Sequence, residues 1–255
     1  MYKFLIGCLC FVVAQNTLFA SLIHAHYDRP VLLLHGIIQD SKSLRKMEQY
    51  LKDEGFQTVI RVDIGSLAAE DSIPTVAKRI GAAVEGASKK HGSRKIDLVA
   101  FSMGALAARY YIQLQGGHRY VNRFVSISGP LQGTYVSVVA LGLKGMRDMM
   151  PASPVFVALK SSKASWGDVE VHSLYTPNDV IIVPANSSVI EGAHVKSFPH
   201  VTLHHQMVKS KEVLKYLADV LKIKKAAPIS DVCKNPSQKG KLLKHCKPQA
   251  MPDAL

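Results

Sequence analysis

Ser102 stands between an apolar run and an alanine-rich run, Lys95-Ile-Asp-Leu-Val-Ala-Phe-Ser102-Met-Gly104-Ala-Leu-Ala-Ala-Arg109. This pattern predicts a buried strand, a one-residue corner and a close-packed helix, the arrangement of a nucleophile elbow. A serine on so sharp a turn points its hydroxyl outward, and the first amide of the helix, Met103 N–H, can face an oxyanion. The chemistry this allows is attack on an acyl carbon. The usual G-x-S-x-G pattern reads Ala100-Phe-Ser102-Met-Gly104 here. One methyl in the first glycine position still permits close approach of helix and strand, where a branched side chain does not.

Acyl transfer also needs a second oxyanion donor, an acid and a base. Arg29-Pro-Val-Leu-Leu-Leu-His35-Gly36-Ile37-Ile38 is another apolar strand, ending in a His-Gly pair. Ile37 N–H is the expected second donor, and since the amide does the work its side chain is irrelevant to the role. His35 is assigned a structural part. Downstream, the alternating strand Val169-Glu-Val-His-Ser-Leu-Tyr175 runs into Thr176-Pro-Asn-Asp179. Turn chemistry there holds the Asp179 carboxylate at a strand's end, in the chain order Ser, Asp, His. The base must follow the last strand, and Phe198-Pro-His200-Val-Thr-Leu-His204-His205-Gln206 offers three candidates. His204 is preferred, then His205 as the alternative base, then His200. His91, His118, His172, His194 and His245 read as solvated or packing residues.

The elements that must position these groups alternate along the chain. Strands are expected near 30–35, 57–62, 95–101, 121–127, 169–175 and 195–198, and helices near 42–54, 72–90, 103–115 and 207–222. Such alternation predicts an α/β fold, a mostly parallel central sheet with helices on both faces. The last helix carries Val213, Leu214, Leu217, Val220 and Leu221 on one stripe. Between the strand at 121–127 and the next lies a long apolar excursion, about Leu131 to Trp166. In it Val136, Val139, Ala140, Leu143, Met146 and Met150 recur at helical spacing and are expected to wall an acyl-binding groove.

Over roughly residues 29–222 the chain resembles an α/β-hydrolase lipase, and specifically the small bacterial triacylglycerol lipases of the class 2 type. The Ala100-Phe-Ser102-Met-Gly104 elbow, the Pro30–Ile37 oxyanion strand and the Asn178–Ser188 acid loop carry the likeness. In that family the histidine stands about nine residues before a Val that begins the last helix, which on this sequence is His204 before Val213. The resemblance implies cleavage of carboxylic esters through an acyl-Ser102 intermediate, with a lipid or other acyl ester as substrate. Palmitoyl-protein thioesterases share elbow and triad, and Ile127-Ser-Gly-Pro-Leu-Gln-Gly133 resembles their segment after the strand, so a fatty-acyl thioesterase is the alternative. A non-catalytic lipid- or partner-binding protein on the same fold is the third reading.

Of the 255 residues, 1–25 read as a secretory signal peptide, 26–224 as the hydrolase domain and 225–255 as a basic tail. Lys3 precedes the apolar run Phe4–Ala14, and small residues follow at Ala20 and Ala25. Export after cleavage is therefore expected. Removing the leader would take Cys8 and Cys10, leaving Cys233 and Cys246 to pair in the tail. From Lys222 onwards eight lysines face Asp231 and Asp253, which concentrates +6 of the +13 net charge at one end. That charge suits an anionic membrane surface. No nucleic-acid-binding motif is present in the sequence, and the cysteines and histidines lack the spacing of a zinc site, so neither cofactor nor metal is expected.

Overall fold

The structure is a computed structural model that describes residues 29–37, 39–65, 69–92, 94–140, 142–161 and 164–223. The expected leader, the basic tail and the Cys233–Cys246 pairing lie outside the described residues.

Six strands form one sheet: β1 (Val31–Leu34), β2 (Val59–Val62), β3 (Ile96–Phe101), β4 (Val121–Ile127), β5 (Glu170–Tyr175) and β6 (His194–Ser197). Their order is β2-β1-β3-β4-β5-β6, and every pairing is parallel. All residues of β1, β3 and β4 are buried, which is why Val31–Leu34 of β1 and Leu98–Phe101 of β3 read as continuous apolar runs rather than alternating ones. β6 is the exposed edge, and its Lys196 discourages further strand pairing.

The longer helices are α1 (Arg45–Asp53), α2 (Ile73–Lys90), α3 (Met103–Leu114) and α6 (Lys211–Lys222), with two short ones, α4 (Lys144–Asp148) and α5 (Pro154–Leu159). Each face of the sheet has its own core. Leu32, Leu98, Ala100 and Phe124 pack against α2 and α3, while Leu33, Val99, Phe101 and Leu174 pack against α1 and α6. Side chains that alternate along a strand therefore reach opposite cores. α2 begins where the Ser72 side chain accepts from Thr75 N–H and Pro74 occupies the first turn. α6 buries Val213, Leu214, Leu217, Val220 and Leu221, the stripe read from the sequence. Among the described residues no helix is long and apolar enough to cross a membrane.

Two expected helices are shorter than their patterns. The one expected over 42–54 opens as a 3-10 turn, Ser41–Leu44, because the Asp40 side chain caps Lys42 N–H. The one expected over 207–222 starts at Lys211, since His204–Val208 is a separate 3-10 turn. The excursion after β4 departs further. Its helical spacing is broken into a 3-10 turn, Tyr135–Ala140, then α4 and α5. Leu143 is extended and separates the 3-10 turn from α4, while Pro151 and Pro154 stand between α4 and the rest of α5. Met146 turns towards the α2/α3 core, whereas Val139 faces solvent. The expected single groove wall is thus two surfaces.

Candidate active site

Ser102 lies between β3 and α3 with φ 54° and ψ −129°, in the left-handed region that a side chain rarely adopts. Neighbours over-determine this conformation. Ser102 N–H donates to Ile127 O of β4 at 3.0 Å, continuing the sheet through the corner. Gly104 and Gly36 bring the elbow against the loop after β1. A Cβ on Gly104 would sit 2.3 Å from the His35 carbonyl oxygen, and one on Gly36 would sit 2.9 Å from Ser102 Cβ. Only glycine fits at either position, so the elbow and the expected oxyanion loop are in direct contact.

That loop is pinned by a buried histidine. His35 Nε2 accepts from Ile64 N–H at 3.1 Å, and its Nδ1 therefore carries the proton and donates to Gly36 O at 2.9 Å. Gly36 O and Ile37 N–H belong to one peptide plane, so holding the carbonyl fixes the direction of the amide. Gln39, which accepts from Gly36 N–H at 3.3 Å, completes the brace. Met103 N–H opens α3 and has no acceptor within the helix. The sequence identified His35 as structural. It carried no signal for Ile64, which belongs to the neighbouring strand end.

Asp179 follows β5 and is buried. Its Oδ1 accepts from Ile181 N–H at 2.9 Å and Ile182 N–H at 3.0 Å, which leaves Oδ2 for His204 Nδ1 at 2.7 Å. His204 Nε2 is 2.9 Å from Ser102 Oγ. Burial alone would push the Asp179 carboxyl up. The His204 hydrogen bond and charge, with the Ile182 and Ile181 amides, outweigh it and hold the carboxyl below its ordinary value. The Phe101 ring backs His204, with centroids 4.7 Å apart.

Two side chains next to Asp179 place the histidine loop. Thr176 Oγ1 donates to Val201 O, and Asn178 Nδ2 donates to Pro199 O at 2.7 Å. The Thr-Pro-Asn-Asp run therefore sets the acid and anchors the loop bearing the base. Of the three histidine candidates the structure brings His204 to Ser102, while His205 and His200 are exposed.

The palmitoyl protein thioesterase family model matches residues 30–169. It spans the oxyanion loop and the elbow, and ends before Asp179 and His204. Lysosomal thioesterase PPT2-B of Xenopus laevis is 28% identical over 109 residues, a match covering 42% of this chain and 38% of that protein. The match thus spans under half of the curated relative. Among solved structures, lipase BlEst2 of Bacillus licheniformis in its propeptide form superposes with a TM-score of 0.67 at 13% identity, over 79% of this chain and 52% of that one. Its mature form gives 0.65 at 12% identity, over 77% and 93%. Aspergillus fumigatus lipase B gives 0.66 at 13% identity, over 80% and 54%. At such identities the structures establish a shared fold. With more than half of its length matched by the family model, the chain belongs to the palmitoyl protein thioesterase family and has the α/β-hydrolase fold.

Proposed function

We propose that the protein is a serine hydrolase of fatty-acyl thioesters, and that Ser102, His204 and Asp179 are its nucleophile, base and acid. The observation that carries the mechanism is the continuous link from Asp179 Oδ2 through His204 to Ser102 Oγ, at 2.7 and 2.9 Å. His204 Nε2 takes the Ser102 proton as Oγ attacks the acyl carbon, and the Ile37 and Met103 amides hold the tetrahedral oxyanion. Collapse breaks the bond to the leaving thiol, which receives the proton from His204 and departs, leaving acyl-Ser102. Water then repeats the sequence and releases the fatty acid. Asp179 fixes the tautomer that presents Nε2 to Ser102 and stabilises the imidazolium formed in each step.

An apolar rim supports the long acyl chain. Val180 and Ile181 directly follow Asp179, Leu203 directly precedes His204, and Tyr135, Val138 and Val139 lie on the turn after β4; all six are exposed. The turn is tied to the acid loop, since Tyr135 N–H donates to Val183 O at 2.9 Å and Thr134 Oγ1 to Ile181 O at 2.9 Å. Grouped apolar exposure of this kind marks a binding surface rather than chance. The family supports the thioester. Cleavage of lipid oxyesters uses the same groups and is the second reading, favoured by the Ala100-Phe-Ser102-Met-Gly104 elbow. The leader-like first 25 residues support export, and the Xenopus laevis relative is a lysosomal protein. The lysine-rich tail supports attraction to anionic membrane surfaces.

The test is hydrolysis of a chain-length series of acyl thioesters and matching oxyesters by wild type and Ser102→Ala. The account expects long-chain thioesters to be best and all turnover to require Ser102. Preference for oxyesters would move the assignment to a lipase, and turnover independent of Ser102 would refute the mechanism.

A further inference from the structure

At the opposite end of the sheet from Ser102, the beginnings of β5 and β6 bring together Glu170, His172 and His194. The residues are dispersed in sequence, but the register pairs His172 directly with His194, and Glu170 lies two residues before His172 on the same face. The imidazole rings stack with centroids 4.8 Å apart and a tilt of 27°. One ligand atom from each of the three residues lies within 4.8 Å of the others. His172 Nε2 donates to Glu170 Oε1 at 2.6 Å, so both groups already face one shared position.

We propose that Glu170, His172 and His194 form a binding site for one divalent transition-metal ion of the zinc type, separate from the hydrolytic centre. Two imidazoles and a carboxylate select zinc over calcium or magnesium, which take oxygen ligands. Tetrahedral bonds of about 2.0–2.1 Å set ligand atoms roughly 3.4 Å apart, so small side-chain shifts bring this trio to the required spacing. Zinc takes the place of the proton shared between Glu170 and His172. His194 is exposed, so the fourth position opens to solvent water.

The surroundings supply the outer support that such sites need. Arg123, 1% exposed, donates through Nη2 to Glu170 Oε2 at 2.8 Å and to Ile223 O at 3.0 Å. It thereby holds the carboxylate by one oxygen and leaves Oε1 directed at the imidazoles. Its positive charge opposes a cation, and Asp97 Oδ2, 4.0 Å from Arg123 Nη1, offsets it.

Zinc and cobalt binding to the full chain, stripped of metal beforehand, tests this against His194→Ala and against Cys233→Ser/Cys246→Ser. His194 is exposed on the edge strand, so its replacement leaves the fold intact. Wild type should bind one Zn²⁺ and melt higher with it. His194→Ala should weaken binding by at least ~100-fold, the upper end of what loss of an outer-shell partner costs. Bound Co²⁺ should show four-coordinate visible bands without sulfur charge transfer, and the cysteine variant should bind as wild type does. Equal binding by wild type and His194→Ala, sulfur charge transfer, or no binding would each overturn the proposal.

Discussion

Replacing Gly104 by alanine probes the contact on which both oxyanion donors depend. The new Cβ would lie 2.3 Å from the His35 carbonyl oxygen, a backbone atom, and 3.5 Å from Ile64 Cδ1. Carbon–oxygen contacts settle at about 3.3 Å or more, so the start of α3 and the end of β1 must part by about 1 Å. Met103 N–H lies on one side of that gap and Ile37 N–H on the other. A hole whose donors must reach the same oxygen at about 2.7–3.1 Å loses one of them to such a shift, costing roughly 10²–10³ in kcat. Overpacking adds about 1–3 kcal/mol of destabilisation. The assay is kcat on a chromogenic acyl ester below the melting transition, with thermal melts of the same samples. Gly86→Ala is the control. Gly86 is exposed in α2, where an added Cβ meets nothing within 4 Å. That change should stabilise by about 0.5–1 kcal/mol and leave kcat alone. Gly104→Ala with wild-type kcat and melting temperature would refute the argued geometry.

Asp179→Asn should lower kcat by about 10⁴ while the protein stays folded, because an amide can still accept from the Ile181 and Ile182 amides but misorients His204. The same substitution has a pH signature. The Asp179 carboxyl is held below its ordinary value in the fold, so its stabilising contribution is complete above the unfolded pKa of about 3.9 and is lost as pH falls through the folded value. Urea melts should show wild type losing its advantage over Asp179→Asn below about pH 4; a constant difference contradicts this. Val139→Asp, at an exposed position on the rim, should lower kcat/KM for hexadecanoyl thioesters by about tenfold, since a buried valine contact contributes about 1.5 kcal/mol. The loss on acetyl thioesters should be smaller, and equal losses on both would remove the rim from substrate binding.

Much of the site was legible because each member is announced by local chemistry. Leu98–Phe101 of β3 is an unbroken apolar run leading into Ser102, and Gly104 marks where helix must meet backbone. Asp179 sits in turn chemistry immediately after a strand, and that turn also ties down the loop of His204. All six strands lie within a residue or two of their patterns. What the sequence concealed depends on register and on competing caps. His172 and His194 read as unrelated until β5 and β6 pair in parallel. Ile64 braces His35 from an adjacent strand end with no motif to mark it. The segment after β4 misled because the apolar residues at helical spacing run through an extended Leu143, so Met146 and Val139 face different surroundings. Hydrophobic spacing states which residues could share a face, while the backbone breaks decide whether they do.

The central claim is that Ser102 carries the acyl group during turnover. Acid quenching of the full-length protein during turnover of a palmitoyl thioester, followed by peptide mass mapping, tests it most directly. The account predicts a palmitoyl adduct on the peptide bearing Ser102, absent from Ser102→Ala. An adduct on another residue, or steady turnover by Ser102→Ala, would contradict it.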